Sequence, residues 1–177
     1  MRHLLAASLV LALPVAGYAA GISSAPPATT KTTTECKGAQ VFDEKTKTCV
    51  DARDSRLDDD ARFDAARELA YRDRPRDALA VLSTMSEQDS DRVLTYLGFA
   101  TRKSGDMEAA MAFYDRALKQ NPDNLMARSY RGQAYILQGE ATLASAELSQ
   151  IRQRGGRGTW PEYALRAAIE TGRFSGY

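Results

Sequence analysis

Cysteine and histidine are the residue types that could do redox, metal or proton-transfer chemistry in this chain. Cys36 and Cys49 are its only cysteines, and His3 is its only histidine. A redox-active or metal-binding pair normally has Cys-x-x-Cys spacing or further ligands nearby, and neither is present. An even number of cysteines in an exported protein favours pairing. We therefore predict a Cys36–Cys49 disulfide, with a thiol oxidoreductase as the alternative that a free-thiol assay would test.

Acid–base and metal chemistry have little support in the rest of the sequence. Removing residues 1–19 from the 177 would leave 158 residues without histidine, the commonest general base and metal ligand. The acidic run Asp58, Asp59 and Asp60 lacks the glycine and closing glutamate of a calcium loop, and it is typical of a helix N-terminus. No nucleophile motif or phosphate-binding glycine loop is present. We predict no catalytic residue, no metal site, no cofactor and no enzyme activity.

The first 20 residues are typical of a secretory signal peptide. A basic start at Arg2 precedes an apolar run from Leu4 to Ala16, and small residues follow at Gly17 and Ala19. An uncleaved anchor is the alternative, but Pro14 interrupts a run that is shorter than the roughly 20 residues a membrane span needs. We predict a signal peptide over residues 1–19, no stable membrane anchor after cleavage, and export to the periplasm, with secretion as the alternative.

The charge of the predicted mature chain is balanced. Lys and Arg then number 23, and so do Asp and Glu. Nucleic acids and anionic membranes are normally held by a basic excess, so we predict that neither is a partner. The basic stretch IRQRGGRG over residues 151–158 resembles Arg-Gly segments, but it is predicted to be a loop between helices.

Two short segments separate the signal peptide from the helical region. Residues 20–35 consist mainly of Ser, Thr, Ala and Pro and are predicted to be a disordered linker, since they carry too few apolar groups to offset the entropy of ordering. Residues 36–50 are predicted to form a disulfide-closed hairpin. It is either a stapled flap or a polysaccharide-binding module whose one aromatic is Phe42.

The region from residue 57 to residue 172 has the periodicity of paired amphipathic helices. Leu94, Leu97 and Thr101 share one stripe at helical spacing. Gly98 and Ala110 allow two helix backbones to approach closely, with Tyr114 filling the wider space. Counting Asp91 as 1, residues at positions 4, 7, 8, 15, 20, 24, 27 and 32 are Leu94, Leu97, Gly98, Gly105, Ala110, Tyr114, Ala117 and Pro122.

This spacing resembles the tetratricopeptide repeat family. A second copy begins 34 residues later, with Gly132, Tyr135, Gly139, Ala144, Leu148 and Ile151 at matching positions, and a diverged copy precedes with Ala66, Leu69, Ala78, Leu82 and Met85. The resemblance implies an all-α solenoid of about three helix-turn-helix repeats, over residues 59–90, 91–124 and 125–156. Arg128 and Arg131 replace apolar residues, so we expect their stems to pack and their guanidinium groups to reach water.

A capping helix is predicted over residues 160–171. Thr159 and Glu162 match a capping box, Pro161 is tolerated in the first turn, and Gly172 ends the helix. The apolar side chains of this helix would cover the exposed side of the last repeat. Trp160 is predicted to belong to that cap, with a role as a ligand anchor as the alternative.

The resemblance also implies a binding groove along the first helix of each repeat. Its positions in this chain are Phe63, Arg67, Arg92, Thr95, Tyr96, Phe99, Arg102, Met126, Ser129, Tyr130, Gln133 and Ile136. Aromatic and arginine side chains are typical of interface hot spots, and they would suit an extended peptide or helix with apolar anchors and an acidic group. Tyr96 and Tyr130 could equally fill gaps between repeats. The clamp that binds the C-terminal carboxylate of chaperones is absent, since its places hold Phe63, Arg67, Tyr96, Met126 and Tyr130.

Two binding functions remain open from the sequence, beside the thiol oxidoreductase. The first is an adaptor or assembly factor that binds a partner peptide or protein in the repeat groove. The alternative is a cell-wall polysaccharide-binding protein that uses the Cys36–Cys49 hairpin, with the repeats as scaffold.

Overall fold

The computed structural model describes residues 25–174, so the predicted signal peptide at 1–19 lies outside the described residues. The elements, in chain order, are α1 (Lys31–Thr34), β1 (Gln40–Asp43), β2 (Thr48–Asp51), α2 (Asp59–Tyr71), α3 (Pro75–Leu82), α4 (Asp91–Lys103), α5 (Met107–Gln120), α6 (Leu125–Leu137), α7 (Ala141–Gln153) and α8 (Trp160–Thr171). Over this range no helix combines the length and the apolar character needed to cross a membrane.

The helices form a stack of pairs. α2 packs with α3, α4 with α5 and α6 with α7, and the second helix of each pair also contacts the first helix of the next pair. We call α2, α4, α6 and α8 the first helices. α8 follows the last pair and packs against both α6 and α7. The predicted all-α solenoid with a small disulfide-closed hairpin before it is confirmed.

The turn inside each pair requires a left-handed backbone residue at the same repeat position. Gly105 and Gly139 have φ values of 97° and 82°, and Asp73 has φ 56° at the equivalent place in the first pair. Glycine adopts this region without steric cost, and aspartate is one of the few other residues that visit it. The diverged first repeat therefore keeps the turn geometry without the glycine.

The N-terminal caps of the helices and the close approach of α4 to α5 are the ones expected from the sequence pattern. Ser90, Asp106 and Asn124 accept hydrogen bonds from the first-turn amides of α4, α5 and α6. A Cβ atom at Gly98 would lie 2.5 Å from Cε1 of Tyr114, so the glycine is what allows the tyrosine ring to lie against α4.

The prediction of a disordered linker over residues 20–35 is wrong for residues 25–35. Thr30 accepts a hydrogen bond from the amide of Thr32 as the N-cap of α1, and Thr30 and Thr33 also bind the carboxylate of Glu68 on α2. Local capping and this buried acceptor supply the stabilisation that apolar side chains do not.

The hairpin is part of the first repeat's core. Cys36 and Cys49 form the predicted disulfide, and Val41 pairs with Val50 across the two antiparallel strands. Both valines are buried in one cluster with Phe63 and Leu69 of α2. The hairpin therefore covers the end of the stack.

The prediction that the Arg128 and Arg131 guanidinium groups reach water is wrong for Arg128. Its side chain is 9 % exposed, and its Nη1 lies 3.0 Å from Oε2 of Glu147, while Nε and Nη2 donate to the carbonyl of Pro122. Arg131, with a side chain 18 % exposed, binds the other oxygen of Glu147 and also Asp115. The Glu147 carboxylate of α7 thus pairs with both arginines of α6, and Asp115 of α5 supplies the second negative charge.

α8 ends at Gly172, which adopts the left-handed conformation, but the predicted capping box does not form. The Thr159 hydroxyl donates to the carbonyl of Gly156 at 2.6 Å instead of accepting from the helix. Glu162 accepts from the amide of Gly158 and pairs with Arg152 at 2.8 Å. The tight turn at residues 156–159 gives both side chains nearer partners.

Candidate partner-binding face

The predicted groove residues lie on the first helices, and most of them are buried. We call this side of α2, α4, α6 and α8 the first-helix face. Arg92, Met126 and Ile136 are half-buried. The remaining predicted groove residues are each at most 5 % exposed: Phe63, Arg67, Thr95, Tyr96, Phe99, Arg102, Ser129, Tyr130 and Gln133. The face therefore does not present an open channel along its middle.

Aromatic rings fill the centre of the first-helix face. Phe99 and Tyr130 stack with centroids 4.4 Å apart, and Tyr96 meets Tyr130 edge-on at 5.9 Å. Phe63 of α2 meets Tyr96 at 5.3 Å in the same edge-on manner. These contacts join three successive first helices, so Tyr96 and Tyr130 fill the gaps between repeats, as the alternative interpretation of the sequence predicts.

Tyrosine hydroxyls close the same cluster. The hydroxyls of Tyr71 and Tyr130 lie 2.7 Å apart. Burial raises the pKa of Tyr71 to about 12, and burial, with smaller contributions from Tyr96 and Tyr71, raises the pKa of Tyr130 well above its usual value. The hydrogen bond with Tyr130 lowers the pKa of Tyr71 by a smaller amount. Because the phenols stay neutral at physiological pH, they serve as a hydrogen-bonded pair.

Polar groove residues are also held by neighbours. The Thr95 hydroxyl donates to the carbonyl of Asp91 at 2.6 Å and accepts from Asn124 at 3.0 Å. Gln133 donates to the Ser129 hydroxyl at 3.3 Å. The Arg102 guanidinium lies 5.6 Å from the Phe99 ring. These groups support the aromatic cluster.

The guanidinium group of the groove residue Arg67 contacts a backbone carbonyl of the segment before α1. Its Nε donates to the hydroxyl of Tyr96 at 3.2 Å, and its Nη1 lies 3.2 Å from the Asp64 carboxylate. Its Nη2 donates to the carbonyl oxygen of Ala25 at 3.1 Å. The guanidinium carbon lies 5.7 Å from the Tyr96 ring centroid, within the range of a cation–π contact. Arg67 thus bridges the aromatic cluster and the segment before α1.

An accessible row remains at the N-terminal ends of the later first helices. We define the edge row as Arg92, Met126, Trp160 and Tyr163. Arg92 has a side chain 21 % exposed and lies over the Phe63 ring at 5.0 Å, while it pairs with Asp60 at 2.7 Å. Met126 and Trp160 are half-buried.

Tyr163 is the most accessible member of the edge row. It is 53 % exposed, its ring lies 5.4 Å from that of Trp160, and the Arg166 guanidinium lies 5.9 Å from it. Tyr163 is not among the residues predicted for the groove. The period carries a signal for it, since Thr95, Ser129 and Tyr163 follow one another at intervals of 34 residues.

The hairpin offers no free aromatic surface. Phe42 is 8 % exposed, Lys31 Nζ lies 4.9 Å from its ring centroid, and its amide donates to the Thr32 hydroxyl. Sugar binding by stacking needs an open ring face, so this geometry does not favour the polysaccharide alternative. Within residues 25–174, no group of three or more His, Cys, Asp or Glu side chains is placed to hold a metal ion.

Comparison with known families supports the repeat assignment. Residues 102–169, from the end of α4 through most of α8, match the family model described as tetratricopeptide repeat. No curated protein and no solved structure matches the chain.

Proposed function

Because this chain is a tetratricopeptide repeat protein, we propose that it binds a partner protein or peptide along the edge row of its first-helix face. Repeats of this family generally mediate protein–protein interaction. The observation that carries the proposal is that aromatic packing fills the middle of the face while Arg92, Met126, Trp160 and Tyr163 remain accessible at its edge. The partner would thus contact the helix N-terminal ends and not the buried centre.

The chemistry of the edge row suits an apolar anchor next to an acidic group. Tyr163 and Trp160 supply a large, stiff contact surface that loses little conformational entropy on binding. The Arg166 guanidinium lies 5.9 Å from the Tyr163 ring and carries a charge that a partner carboxylate can approach. Arg92 lies 5.0 Å from the Phe63 ring, is paired with Asp60 and Glu87, and contributes side-chain surface. An acidic segment with one or two apolar side chains is the complementary partner.

We place this activity in the periplasm and assign it to an adaptor or assembly factor without enzymatic activity. Two features support export. Residues 1–19 have the pattern of a cleavable signal peptide. The Cys36–Cys49 disulfide is of the kind that persists in oxidising compartments.

Capture from a periplasmic extract with chemical crosslinking and mass spectrometry tests the proposal. The bait is the chain from residue 20 onward, compared with Tyr163→Ala, Arg92→Ala and the control Lys119→Ala, whose side chain is exposed on α5. We expect Tyr163→Ala to lower partner recovery about tenfold, as loss of a hot-spot side chain does, with helical circular dichroism unchanged. Equal recovery by all four baits would contradict the proposal. Tyr96 and Phe99 are unsuitable targets because their burial makes alanine variants unstable.

A further inference from the structure

Residues 25–34, which we call the strap, cross α2 and contact it at two places, while a third hydrogen bond, from the Phe42 amide to the Thr32 hydroxyl at 3.1 Å, joins the strap to the hairpin. At the first, the Ala25 carbonyl accepts from Nη2 of Arg67 at 3.1 Å. At the second, the Thr30 amide and hydroxyl donate to the two oxygens of Glu68 at 2.6 and 2.5 Å, and the Thr33 hydroxyl donates to the same carboxylate.

Between its two anchors the strap bridges a cavity. The space is about 410 Å³ and has Pro26, Pro27 and Ala28 on one side and Ala61, Asp64 and Ala65 of α2 on the other. Ala25, Pro26 and residues 28–30 are exposed, whereas Arg67 and Glu68 beneath them are 5 % and 2 % exposed. Between Ala25 and Thr30 the strap is therefore held by hydrogen bonds at its ends more than by packing, whereas Thr32 is 4 % exposed and lies beside the hairpin.

The contacts made by the strap are ones that a segment of another protein can reproduce. Arg67 donates a hydrogen bond to a backbone carbonyl, which every peptide has. Glu68 accepts hydrogen bonds from one amide and two hydroxyls, which are neutral donors. A buried carboxylate that loses its donors without replacement is costly, so whatever displaces the strap must bring hydroxyl or amide donors to Glu68 and a carbonyl to Arg67. Because Thr30 is the N-cap of α1 and Thr33 lies in its first turn, these requirements describe a segment whose serine or threonine side chains stand three residues apart in one helical turn.

We propose that the strap is an intramolecular ligand occupying a second peptide site on α2, and that a partner segment with serine or threonine side chains at this helical spacing takes its place. The inference rests on the proposed function, because it assumes that this chain binds protein segments. The strap is joined directly to the disulfide hairpin, so its effective concentration at α2 is of the order of millimolar or higher. A partner segment can bind only to molecules in which the strap is open. Its apparent affinity is therefore the intrinsic affinity multiplied by the fraction of open molecules.

Binding of a peptide added in trans tests the proposal. The probe is a fluorescein-labelled peptide with the sequence of residues 25–34, APPATTKTTT, followed by fluorescence anisotropy. The release variant is Thr30→Val with Thr33→Val in the chain from residue 20 onward, which removes hydroxyl donors to Glu68 and leaves α2 intact. The matched control is Thr29→Val with Thr34→Val, because the Thr34 hydroxyl reaches only the Thr30 carbonyl.

We expect the release variant to bind the probe about tenfold or more tightly than the parent and control chains, as loss of two hydrogen bonds to a carboxylate shifts the strap toward its open form. Adding Glu68→Gln to the release variant should abolish that gain. A probe peptide with valine at the positions of Thr30 and Thr33 should bind weakly to every variant.

The outcomes separate this proposal from the proposed function. If the release variant unfolds at lower temperature but binds the probe no better than the parent, the strap is only an end cap and the inference is wrong. That result leaves Tyr163-dependent capture untouched. Conversely, probe binding that requires Glu68 would support the strap site even where capture does not depend on Tyr163.

Discussion

The hydroxyl oxygens of Tyr71 on α2 and Tyr130 on α6 lie 2.7 Å apart, although 59 residues separate them in the chain. α4 lies between these two helices in the stack, so the contact joins the first and third repeats directly. It marks the curvature that brings the first helices together. That curvature explains why the residues expected to line an open groove are buried against one another.

The tyrosine pair predicts a loss of stability at alkaline pH. The pKa of Tyr71 is about 12 in the folded chain, raised by burial above the ordinary value of 10.0. A group whose folded pKa is raised stabilises the fold below its unfolded pKa, and that contribution is lost as pH rises through the folded pKa. We therefore expect the free energy of unfolding to fall between pH 10 and about 12. Urea titrations across this range should show a shallower fall in Tyr71→Phe, and an identical slope would be inconsistent with the assignment.

The close approach at Gly98 predicts unequal costs for two glycine substitutions. In Gly98→Ala the new Cβ would lie 2.5 Å from the buried ring of Tyr114, whereas in Gly132→Ala it would lie 2.6 Å from a terminal methyl of Leu165. The rigid ring of Tyr114 moves aside less readily than the terminal methyl groups of Leu165. Gly98→Ala should lose about 2 kcal/mol of unfolding free energy in urea titrations, and Gly132→Ala should lose less. Equal losses would show that the tyrosine ring shifts as easily as the leucine.

The disulfide should stabilise the first repeat and not the hairpin alone. Cys36 and Cys49 are separated by 13 positions in the chain, and for a loop of this size chain entropy predicts a contribution of about 3 kcal/mol. Val41 and Val50 of the hairpin share a core with α2. Cys36→Ala with Cys49→Ala should therefore lower stability by about that amount and speed hydrogen exchange in α2 more than in α7. Faster exchange confined to the hairpin would contradict this coupling.

The charge network on α6 predicts a large effect for Glu147. Its carboxylate pairs with Arg128 and Arg131, and the Arg128 and Glu147 side chains are 9 % and 8 % exposed. Removing one partner of a buried pair costs about 3 kcal/mol or more, since the other charge stays buried. Glu147→Gln should lower the urea midpoint strongly, whereas the exposed control Glu140→Gln should not. A small loss would mean that Arg128 reaches water when its partner is removed.

Features set by local spacing were predictable from the sequence. The Gly98 and Tyr114 contact follows from the repeat positions of the two residues, and the glycine turns follow from the period. The helix caps at Ser90, Asp106 and Asn124 have the side chains that such positions favour. The disulfide follows from the cysteine count.

Features set by partners from distant parts of the chain were not predictable. Burial of Arg128 depends on Glu147, which α7 brings to α6. Order in the strap depends on Glu68, which composition alone does not connect to a threonine run. The filled centre of the first-helix face depends on the stack's curvature. A pattern of positions describes which residues share a face, but it does not give the distance between faces of repeats that are not adjacent.

The most direct test of binding at the edge row is site-specific photo-crosslinking. Benzoylphenylalanine is introduced at position 163, where Tyr163 is 53 % exposed, and at position 119 on the exposed side of α5 as a control. Irradiation of intact cells followed by mass spectrometry should give one dominant protein adduct from position 163 and none of that mass from position 119. Absence of an adduct at 163, or the same adducts at both positions, would contradict the account.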